Sequence, residues 1–228
     1  MNTEQGSTIP ESQSAIRGFI QAGGRSSRMN RDKAWLEIEG APMIERVIAA
    51  ARPAAGRLGI IVNAANPRIE LYERLAESRD ASLIFDLHEH LDPLGGIHTA
   101  LAHCGANESA LILACDMPFI TTEFLSLLGA IHQNDIPHSA FRIPHSITVP
   151  LDQSNRLQPL AAIYDQSLEA TVGRMLAANE LKVDLLYPRV LTRRVGFAEF
   201  AHLPDAERFF VNINTPEEYG DVTRRSLH

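Results

Sequence analysis

The strongest constraint on the fold is a short apolar run that ends in a glycine-rich, basic loop. The run is Ile16–Ile20, and the loop reads Ala22-Gly23-Gly24-Arg25-Ser26-Ser27-Arg28-Met29-Asn30-Arg31-Asp32-Lys33. The run predicts a buried first strand, so the glycines lie where the backbone turns away from a sheet. Glycine permits the positive φ angles with which successive backbone N–H groups surround an anion. With its basic side chains the loop predicts a polyphosphate site, although it matches neither G-x-x-x-x-G-K-[ST] nor G-x-G-x-x-G.

Short apolar runs alternate with helical patterns over the first 130 residues. The runs that predict strands are Ile16–Ile20, Leu58–Val62, Ser82–Phe85 and Ala110–Ala114. The helical patterns begin near Pro42, Pro67 and Ile97 and after a cap at Thr121 or Thr122. Such alternation is typical of parallel strands with helices on both faces, and ligands then bind beyond the carboxyl ends of the strands. We therefore expect the loops after these strands to converge on one edge of the sheet.

After residue 134 the pattern is less regular. It predicts strands at Ser139–Ile143, Ser146–Val149 and Leu160–Tyr164 and a helix over Gln166–Ala178. Thr215-Pro216-Glu217-Glu218 predicts a capping box that opens a C-terminal helix. The chain has no internal repeat and no Gly/Ser/Pro-rich linker. These patterns predict an α/β, single-domain, Rossmann-like three-layer sandwich with a mostly parallel sheet over residues 16–228, after a disordered polar tail over residues 1–15.

Composition argues against several classes of protein. A chain of 228 residues can bury a sizeable core without disulfides or metal ions. The formal net charge of −7 disfavours nonspecific binding to nucleic acid or to an anionic membrane. No apolar run approaches the ~20 residues that cross a bilayer, and the first residues lack the apolar region of a signal peptide. Cys104 and Cys115 fit no zinc spacing, so we expect a reduced, cytoplasmic protein.

Asp116 is the best candidate for a metal ligand. It follows the predicted strand Ala110–Ala114 and precedes Met117-Pro118, where the proline disfavours helical angles at Met117. A carboxylate at the carboxyl end of a strand, beside a phosphate loop, suits Mg²⁺, which commonly binds phosphate oxygens together with one or two carboxylates. The residues alone leave an alternative, in which Asp116 only caps the following helix.

Lys33 and Arg28 are the candidate phosphate-binding cations. Displacement at an α-phosphate builds negative charge on its oxygens and on the departing pyrophosphate, and positioned cations stabilise both. Lysine acts as a point charge, whereas the arginine fork can bind two oxygens. The alternative is that both are solvated surface charges, which is our interpretation of Arg25 and Arg31.

Two other patterns favour no chemistry. We interpret His88-Glu89-His90 as a surface run rather than a metal site. Ser26 and Ser27 lie on no G-x-S-x-G elbow, which weighs against a serine hydrolase.

Four segments, taken in order, resemble one family. The first loop fits Ala-Gly-Gly-x-Ser-x-Arg-Met-x-x-Asp-Lys, and the later segments are Asp92-Pro93-Leu94-Gly95-Gly96-Ile97, Ala114-Cys115-Asp116-Met117-Pro118-Phe119 and Phe210-Val211-Asn212-Ile213-Asn214-Thr215-Pro216-Glu217-Glu218. Over roughly residues 16–220 the chain resembles the molybdenum cofactor guanylyltransferases, which are MobA-like nucleotidyltransferases. The resemblance implies a nucleotidyltransferase fold and a Mg²⁺-dependent enzyme that transfers GMP from GTP to the terminal phosphate of molybdopterin or Mo-molybdopterin. The products would be molybdopterin guanine dinucleotide and pyrophosphate.

The resemblance also implies roles for individual residues. The catalytic positions are Arg28, Lys33 and Asp116, with Asp116 as the metal ligand. The nucleotide site corresponds to Gln21, Ala22, Gly23, Lys33, Asn63, Asp86, Gly96 and Asp116. The acceptor site corresponds to Asn212 and Asn214, which alternate on an extended segment and so share one face. The attacking phosphate is already anionic near neutral pH, so the nine histidines need not be catalytic.

The chain departs from the family pattern at several positions, one of which is Gln158, where the family often has a histidine before the proline that is Pro159 here. Gln21 stands where leucine is usual, and Asn30 and Asp92 stand where glycine is usual. Asn30 tolerates left-handed backbone angles, whereas Asp92 adds negative charge near the phosphate site.

Several alternatives stay open. They are a related molybdopterin cytidylyltransferase, a sugar-phosphate nucleotidyltransferase, and a noncatalytic nucleotide-binding partner of the cofactor pathway. Ala-Gly-Gly at the end of the first strand is typical of the guanylyl branch, whereas Ala-Ala-Gly is typical of the cytidylyl branch. The resemblance further implies that a molybdenum-insertion protein delivers the molybdopterin substrate.

Overall fold

The computed structural model describes residues 16–22, 32–88, 93–134, 146–215 and 217–220. Its strands in chain order are β1 (Ile16–Gln21), β2 (Glu37–Ile38), β3 (Ala41–Pro42), β4 (Arg57–Val62), β5 (Ala81–Phe85), β6 (Ser109–Ala114), β7 (Ser146–Pro150), β8 (Ala161–Asp165) and β9 (Leu191–Val195). In these residues β2 and β3 form a small hairpin, and the other strands form one seven-stranded sheet in the order β5-β4-β1-β6-β8-β7-β9.

The sheet is mostly parallel, as predicted. Strands β5, β4, β1 and β6 are parallel to one another, β8 runs antiparallel to both β6 and β7, and β7 is parallel to β9. The carboxyl ends of β5, β4, β1 and β6 therefore meet at one edge of the sheet. The loops that follow them begin there.

Helices cover both faces of the sheet. They are α1 (Met43–Ala51), α2 (Ile69–Ser78), α3 (Pro93–Ala102), α4 (Thr122–Asn134) and α5 (Glu169–Ala177). Alternation along β6 shows the two faces, because Leu111 and Leu113 pack with α1, α2 and α4, whereas Ala110 and Ile112 pack with α3 and α5. The predicted three-layer sandwich is confirmed. None of the helices in the described ranges has the length and apolar character that a membrane crossing requires.

Most boundaries agree with the sequence expectations, and the elements that differ are α3, the helix expected from Gln166, strand β9 and the β2–β3 hairpin. Helix α3 begins at Pro93 rather than near Ile97, so Gly95 and Gly96 lie within the helix. Proline suits the first helical position because its missing N–H has no intrahelical partner there. The helix expected from Gln166 begins as a 3₁₀ turn over Gln166–Leu168. The sequence patterns did not predict β9 or the hairpin, while the expected strand Ser139–Ile143 and the tail over residues 1–15 lie outside the described residues.

The predicted capping box near the C-terminus is confirmed. The Glu218 N–H donates to Thr215 Oγ1 at 3.1 Å, and Glu218 Oε2 accepts from the Thr215 N–H at 3.0 Å. Glu218 Oε2 also accepts from the Asn214 N–H at 2.6 Å. Helical backbone follows over residues 217–220. The box thus holds the backbone at Asn214, a residue expected in the site.

An aromatic cluster attaches the C-terminal segment to the core. Phe124 on α4 lies with its ring centroid 5.0 Å from those of Phe200 and Phe209 and 5.5 Å from that of Phe210. Phe200 and Phe209 are completely buried. Beyond the cluster, Ile213 is also buried and its N–H donates to the Asp116 carbonyl oxygen at 3.3 Å. The segment therefore returns to the carboxyl edge of the sheet.

We expect Phe209→Ala to lower the free energy of unfolding by about 3–5 kcal/mol, because it removes a buried ring and leaves a cavity. Urea denaturation measures this loss. Phe85→Ala is the matched control, since the Phe85 side chain is 49% exposed, and its loss should be about 1 kcal/mol or less. Equal losses in the two variants would contradict the assignment of Phe209 to the core.

Candidate active site

Strand register brings the expected site residues to one edge. Gln21 at the end of β1 lies beside Ile61 of β4 and Ala114 of β6. The ladder continues one residue further, since the Ala22 N–H donates to the Ile61 carbonyl at 2.8 Å and the Cys115 N–H donates to the Gln21 carbonyl at 3.1 Å. The polar residues at this edge are Gln21, Asn63, Asp86 and Asp116. Buried Ala22 lies among them, as expected.

Lys33 joins three distant parts of the chain at this edge. Its Nζ donates to Asp116 Oδ2 at 2.9 Å and to Asn214 Oδ1 at 2.7 Å. The side chains of Lys33 and Asp116 are 20% and 15% exposed, so solvent screens the pair only in part. The candidate phosphate-binding cation, the candidate metal ligand and a candidate acceptor-binding residue are therefore in direct contact.

Asp32 and Tyr72 hold the turn that presents Lys33. Asp32 Oδ1 accepts from the Ala34 N–H at 3.2 Å and caps the 3₁₀ turn Lys33–Trp35. Asp32 Oδ2 accepts from the Tyr72 hydroxyl at 2.7 Å, and the Trp35 ring meets the Tyr72 ring edge-on at 5.4 Å. Burial raises the pKa of Tyr72, and nearby Cys115 and Asp32 raise it further. Tyr72 is therefore a neutral, permanent donor, which the sequence did not reveal because it lies on α2.

The two carboxylate oxygens of Asp86 differ in the hydrogen bonds that they accept from the described residues. Oδ1 accepts from the Thr99 hydroxyl at 2.5 Å and from the His88 N–H at 3.2 Å. Oδ2 is buried and accepts no hydrogen bond from the residues that the structure describes. A buried acceptor in that state is costly unless a ligand supplies a donor. Asn63, the other candidate at this end, instead uses Oδ1 to accept from the Ala65 N–H at 2.8 Å.

The Gln21 amide lies directly against Gly96. A Cβ at Gly96 would stand 2.4 Å from both Cδ and Nε2 of Gln21, so a side chain there would displace the amide. Nε2 of Gln21 is buried and has no hydrogen-bond partner within the described ranges. Gly96 therefore makes room for a polar group that replaces the family's usual leucine.

His88 is half-buried, whereas we expected it at the surface. Its Nε2 lies 3.1 Å from Nδ1 of His98, and Nε2 of His98 lies 3.8 Å from Glu169 Oε1. Burial lowers the pKa of His98, and His88 lowers it further, against the opposing effect of Glu169 and Asp86. The pair joins the loop that carries Asp86 to α3, and His98 also lies against Glu169 of α5. Glu89 and His90 lie outside the described residues.

Asn212 contributes a second buried acceptor oxygen at this edge. Its Oδ1 is buried and accepts no hydrogen bond from the described part of the chain. It lies two residues before Asn214, on the segment that returns to Asp116. Of the remaining expected positions, Gly23 and Arg28 lie outside the described residues, as do Asn30 and Asp92.

The donor set suits a metal ion that arrives with phosphate ligands. In the described ranges, no group of three or more His, Cys, Asp or Glu side chains is placed to hold a metal. Asp116 supplies one carboxylate, of which Oδ2 contacts Lys33. A hard cation bound mainly by phosphate oxygens and water needs one or two protein carboxylates. Asp116 fits that requirement.

The sheet order and the residues at its carboxyl edge define a class, the α/β nucleotidyltransferases. The chain belongs to the MobA-like NTP transferase family, whose model matches residues 18–190. Enzymes that transfer nucleotides generally use a divalent metal ion.

Curated relatives extend the likeness along most of the chain. A probable molybdenum cofactor guanylyltransferase of Clostridium perfringens is 34% identical over 210 residues, which cover 90% of this chain and 95% of the relative. A molybdenum cofactor guanylyltransferase of Shewanella sp. is 33% identical over 205 residues, which cover 89% of this chain and 92% of the relative.

Solved structures share the fold at lower identity. Molybdopterin-guanine dinucleotide biosynthesis protein A from Archaeoglobus fulgidus is similar with a TM-score of 0.74 at 22% identity, covering 92% of this chain and 98% of that one. The 4-diphosphocytidyl-2C-methyl-D-erythritol synthase of Anaerococcus prevotii has a TM-score of 0.62 at 13% identity, covering 93% of this chain and 98% of that one. At these identities the likeness shows the fold alone.

We expect Gly96→Ala to keep the fold and to weaken nucleoside triphosphate binding. The added methyl group displaces the Gln21 amide, while alanine improves the helix by up to about 1 kcal/mol. The dissociation constant for GTP, measured by calorimetry, should rise roughly two- to tenfold. Gly129→Ala on α4 is the control, because its Cβ would meet only Ile16 Cδ1 at 3.3 Å. Unchanged GTP affinity in Gly96→Ala would contradict a role for Gln21 in the site.

Proposed function

We propose that the protein is a molybdenum cofactor guanylyltransferase. It transfers GMP from GTP to the terminal phosphate of molybdopterin or Mo-molybdopterin, and it releases pyrophosphate. The observation that carries the proposal is the contact of Lys33 Nζ with both Asp116 and Asn214 at the carboxyl edge of the sheet. The names of relatives that are 33–34% identical over about nine-tenths of the chain support it.

The reaction is a displacement at the α-phosphorus of GTP. An oxygen of the molybdopterin phosphate forms a new bond to that phosphorus, and the bond to the β-phosphate oxygen breaks. Pyrophosphate leaves with the electron pair of the broken bond. No proton has to be removed from the nucleophile, so the step needs positioning and charge stabilisation rather than a general base. This accords with an edge that presents a lysine, an aspartate and an asparagine.

Lys33 and Asp116 carry the proposed charge stabilisation. Lys33 already has two hydrogen-bond partners, so its ammonium is held at one place before substrate arrives. A preorganised cation stabilises developing negative charge without a reorganisation cost. Arg28, another cation of the same loop, is also proposed to bind phosphate oxygens. Asp116 is proposed to hold Mg²⁺, which when bound neutralises charge on the triphosphate.

The two substrates are proposed to lie on opposite sides of Lys33. The nucleotide takes the side formed by Gln21, Ala22, Gly23, Asn63, Asp86 and Gly96. The acceptor takes the side formed by Asn212 and Asn214. Oδ2 of Asp86 and Oδ1 of Asn212 are buried acceptors that find no partner among the residues that the structure describes, and they support one ligand on each side. Lys33 then lies where the two phosphates meet.

We further propose that the reaction takes place in the cytoplasm, with molybdopterin delivered by a molybdenum-insertion protein. Cys104 and Cys115 form no disulfide, in keeping with a reducing compartment.

We expect Asp116→Asn to remain folded and to lose most of its turnover. The change is nearly isosteric, but it removes the charge that faces the metal ion and Lys33. Pyrophosphate release with GTP, molybdopterin and limiting Mg²⁺ measures the loss.

Lys33→Ala should also lose turnover, whereas Arg31→Ala should lose less. Lys182→Ala, which changes an exposed lysine, should behave as wild type. Normal turnover of Asp116→Asn at limiting Mg²⁺ would remove Asp116 from the metal site.

The second expectation is a preference for GTP over CTP and ATP. In the family, Ala22-Gly23-Gly24 is the guanylyl pattern, and glycine lets a purine lie near backbone groups that can bind its edge. A base that leaves those buried groups unpaired should lose roughly ten- to a hundredfold in turnover efficiency. To measure this preference, GTP and CTP are supplied together with one limiting pool of molybdopterin, and the two dinucleotide products are separated and quantified. Predominantly cytidine product would contradict the guanylyl assignment and leave nucleotidyl transfer intact.

A further inference from the structure

We propose that Thr99 is a positioning residue that orients the Asp86 carboxylate toward the bound nucleotide. The inference rests on the proposed function, because it assigns Asp86 to the nucleotide side of the site. Thr99 lies on α3 and its side chain is completely buried. The family pattern gave no reason to single it out, since the Gly95-Gly96 pair ends three residues earlier.

One hydroxyl contacts two segments of the nucleotide side. Thr99 Oγ1 lies 2.5 Å from Asp86 Oδ1 and 3.1 Å from the backbone nitrogen of Leu87, both in the loop after β5. It also lies 3.1 Å from the Gly95 carbonyl oxygen, one helical turn back on α3. Thr99 therefore joins the loop that carries Asp86 to the first helical turn of α3, which contains Gly95 and Gly96.

The single hydrogen of the Thr99 hydroxyl limits which of these contacts can be a hydrogen bond that Thr99 donates. A threonine hydroxyl has one hydrogen to donate and two lone pairs that accept. The Leu87 N–H donates to one lone pair. The Asp86 carboxylate is both closer and charged, so it takes the hydroxyl hydrogen in preference to the Gly95 carbonyl. The bond to Asp86 is therefore the strong one of the set.

This bond decides which carboxylate oxygen is left for a ligand. Oδ1 of Asp86 is occupied by the Thr99 hydroxyl and the His88 N–H. Oδ2 is buried and has no partner among the residues described. With Oδ1 held, the carboxylate cannot rotate without breaking two hydrogen bonds. Oδ2 is thus held ready to accept from an N–H or O–H group of the nucleoside.

Two features separate this role from simple packing. A buried threonine needs only a backbone carbonyl one turn back to satisfy its hydroxyl, and Gly95 offers that carbonyl. The closer contact to Asp86 lies outside the helix and is not required for the stability of α3. Removing the hydroxyl should therefore affect ligand binding through Asp86 more than it affects folding.

The test is Thr99→Val, which replaces the hydroxyl by a methyl group of similar size. We expect the KM for GTP and its calorimetric Kd to rise about tenfold, with kcat within about threefold of wild type. Thr99→Ser, which retains the hydroxyl, should restore both constants to near wild type. Thr148→Val is the matched control: Thr148 is buried, but its hydroxyl contacts His132 at 2.9 Å. This control should change the urea midpoint and leave the KM for GTP unchanged.

A double-mutant cycle with Asp86→Ala tests whether Thr99 acts through Asp86. If it does, Thr99→Val causes no further rise in the Kd for GTP once Asp86 is absent. A wild-type Kd for GTP in Thr99→Val would overturn the proposal. So would a double variant whose Kd rises by the product of the two single-variant increases. If Thr99→Val does not fold, Thr99→Ala takes its place in the same cycle. Absence of dinucleotide product from wild type would refute the proposed function instead, because GTP binding is measured separately.

Discussion

The contact of Lys33 with Asp116 and Asn214 is the interaction on which the site depends. Its three members come from the first loop, the end of β6 and the C-terminal segment. Removing one member of a partly buried pair leaves the other charge without compensation, which costs more than an exposed ion pair contributes. The Asp32 cap, the Tyr72 hydroxyl and the aromatic cluster around Phe124 all serve to bring these members to one point.

Much of this edge could be predicted because parallel strands end together. The apolar runs that became β1, β4, β5 and β6 are short, buried and separated by helical patterns. Because these strands were predicted to be parallel, the residues that follow them were expected at the same edge of the sheet. These residues are Gln21, Asn63, Asp86 and Asp116. The capping box at Thr215 and Glu218 was predictable for a different reason, because both partners lie within four residues.

Partners that meet only through the fold could not be predicted. Tyr72 donates to Asp32 across 40 positions, and no local pattern distinguishes it from another core tyrosine. Thr99 and the Gly96–Gln21 contact depend on where α3 begins, and the sequence pattern predicted that start near Ile97 rather than at Pro93. Strand β9 has half-exposed and polar residues at a sheet edge, which weakens the alternation that reveals inner strands.

GTP labelled on its phosphates shows whether the protein transfers GMP through a site that depends on Lys33. The protein is incubated with Mg²⁺, molybdopterin and GTP that carries its label at either the α- or the γ-phosphate, and the products are separated. We expect α-label in the dinucleotide and γ-label in pyrophosphate, in equal amounts, and neither product in the Lys33→Ala variant. Release of γ-label as inorganic phosphate, or α-label that stays in GTP under all conditions, would contradict it.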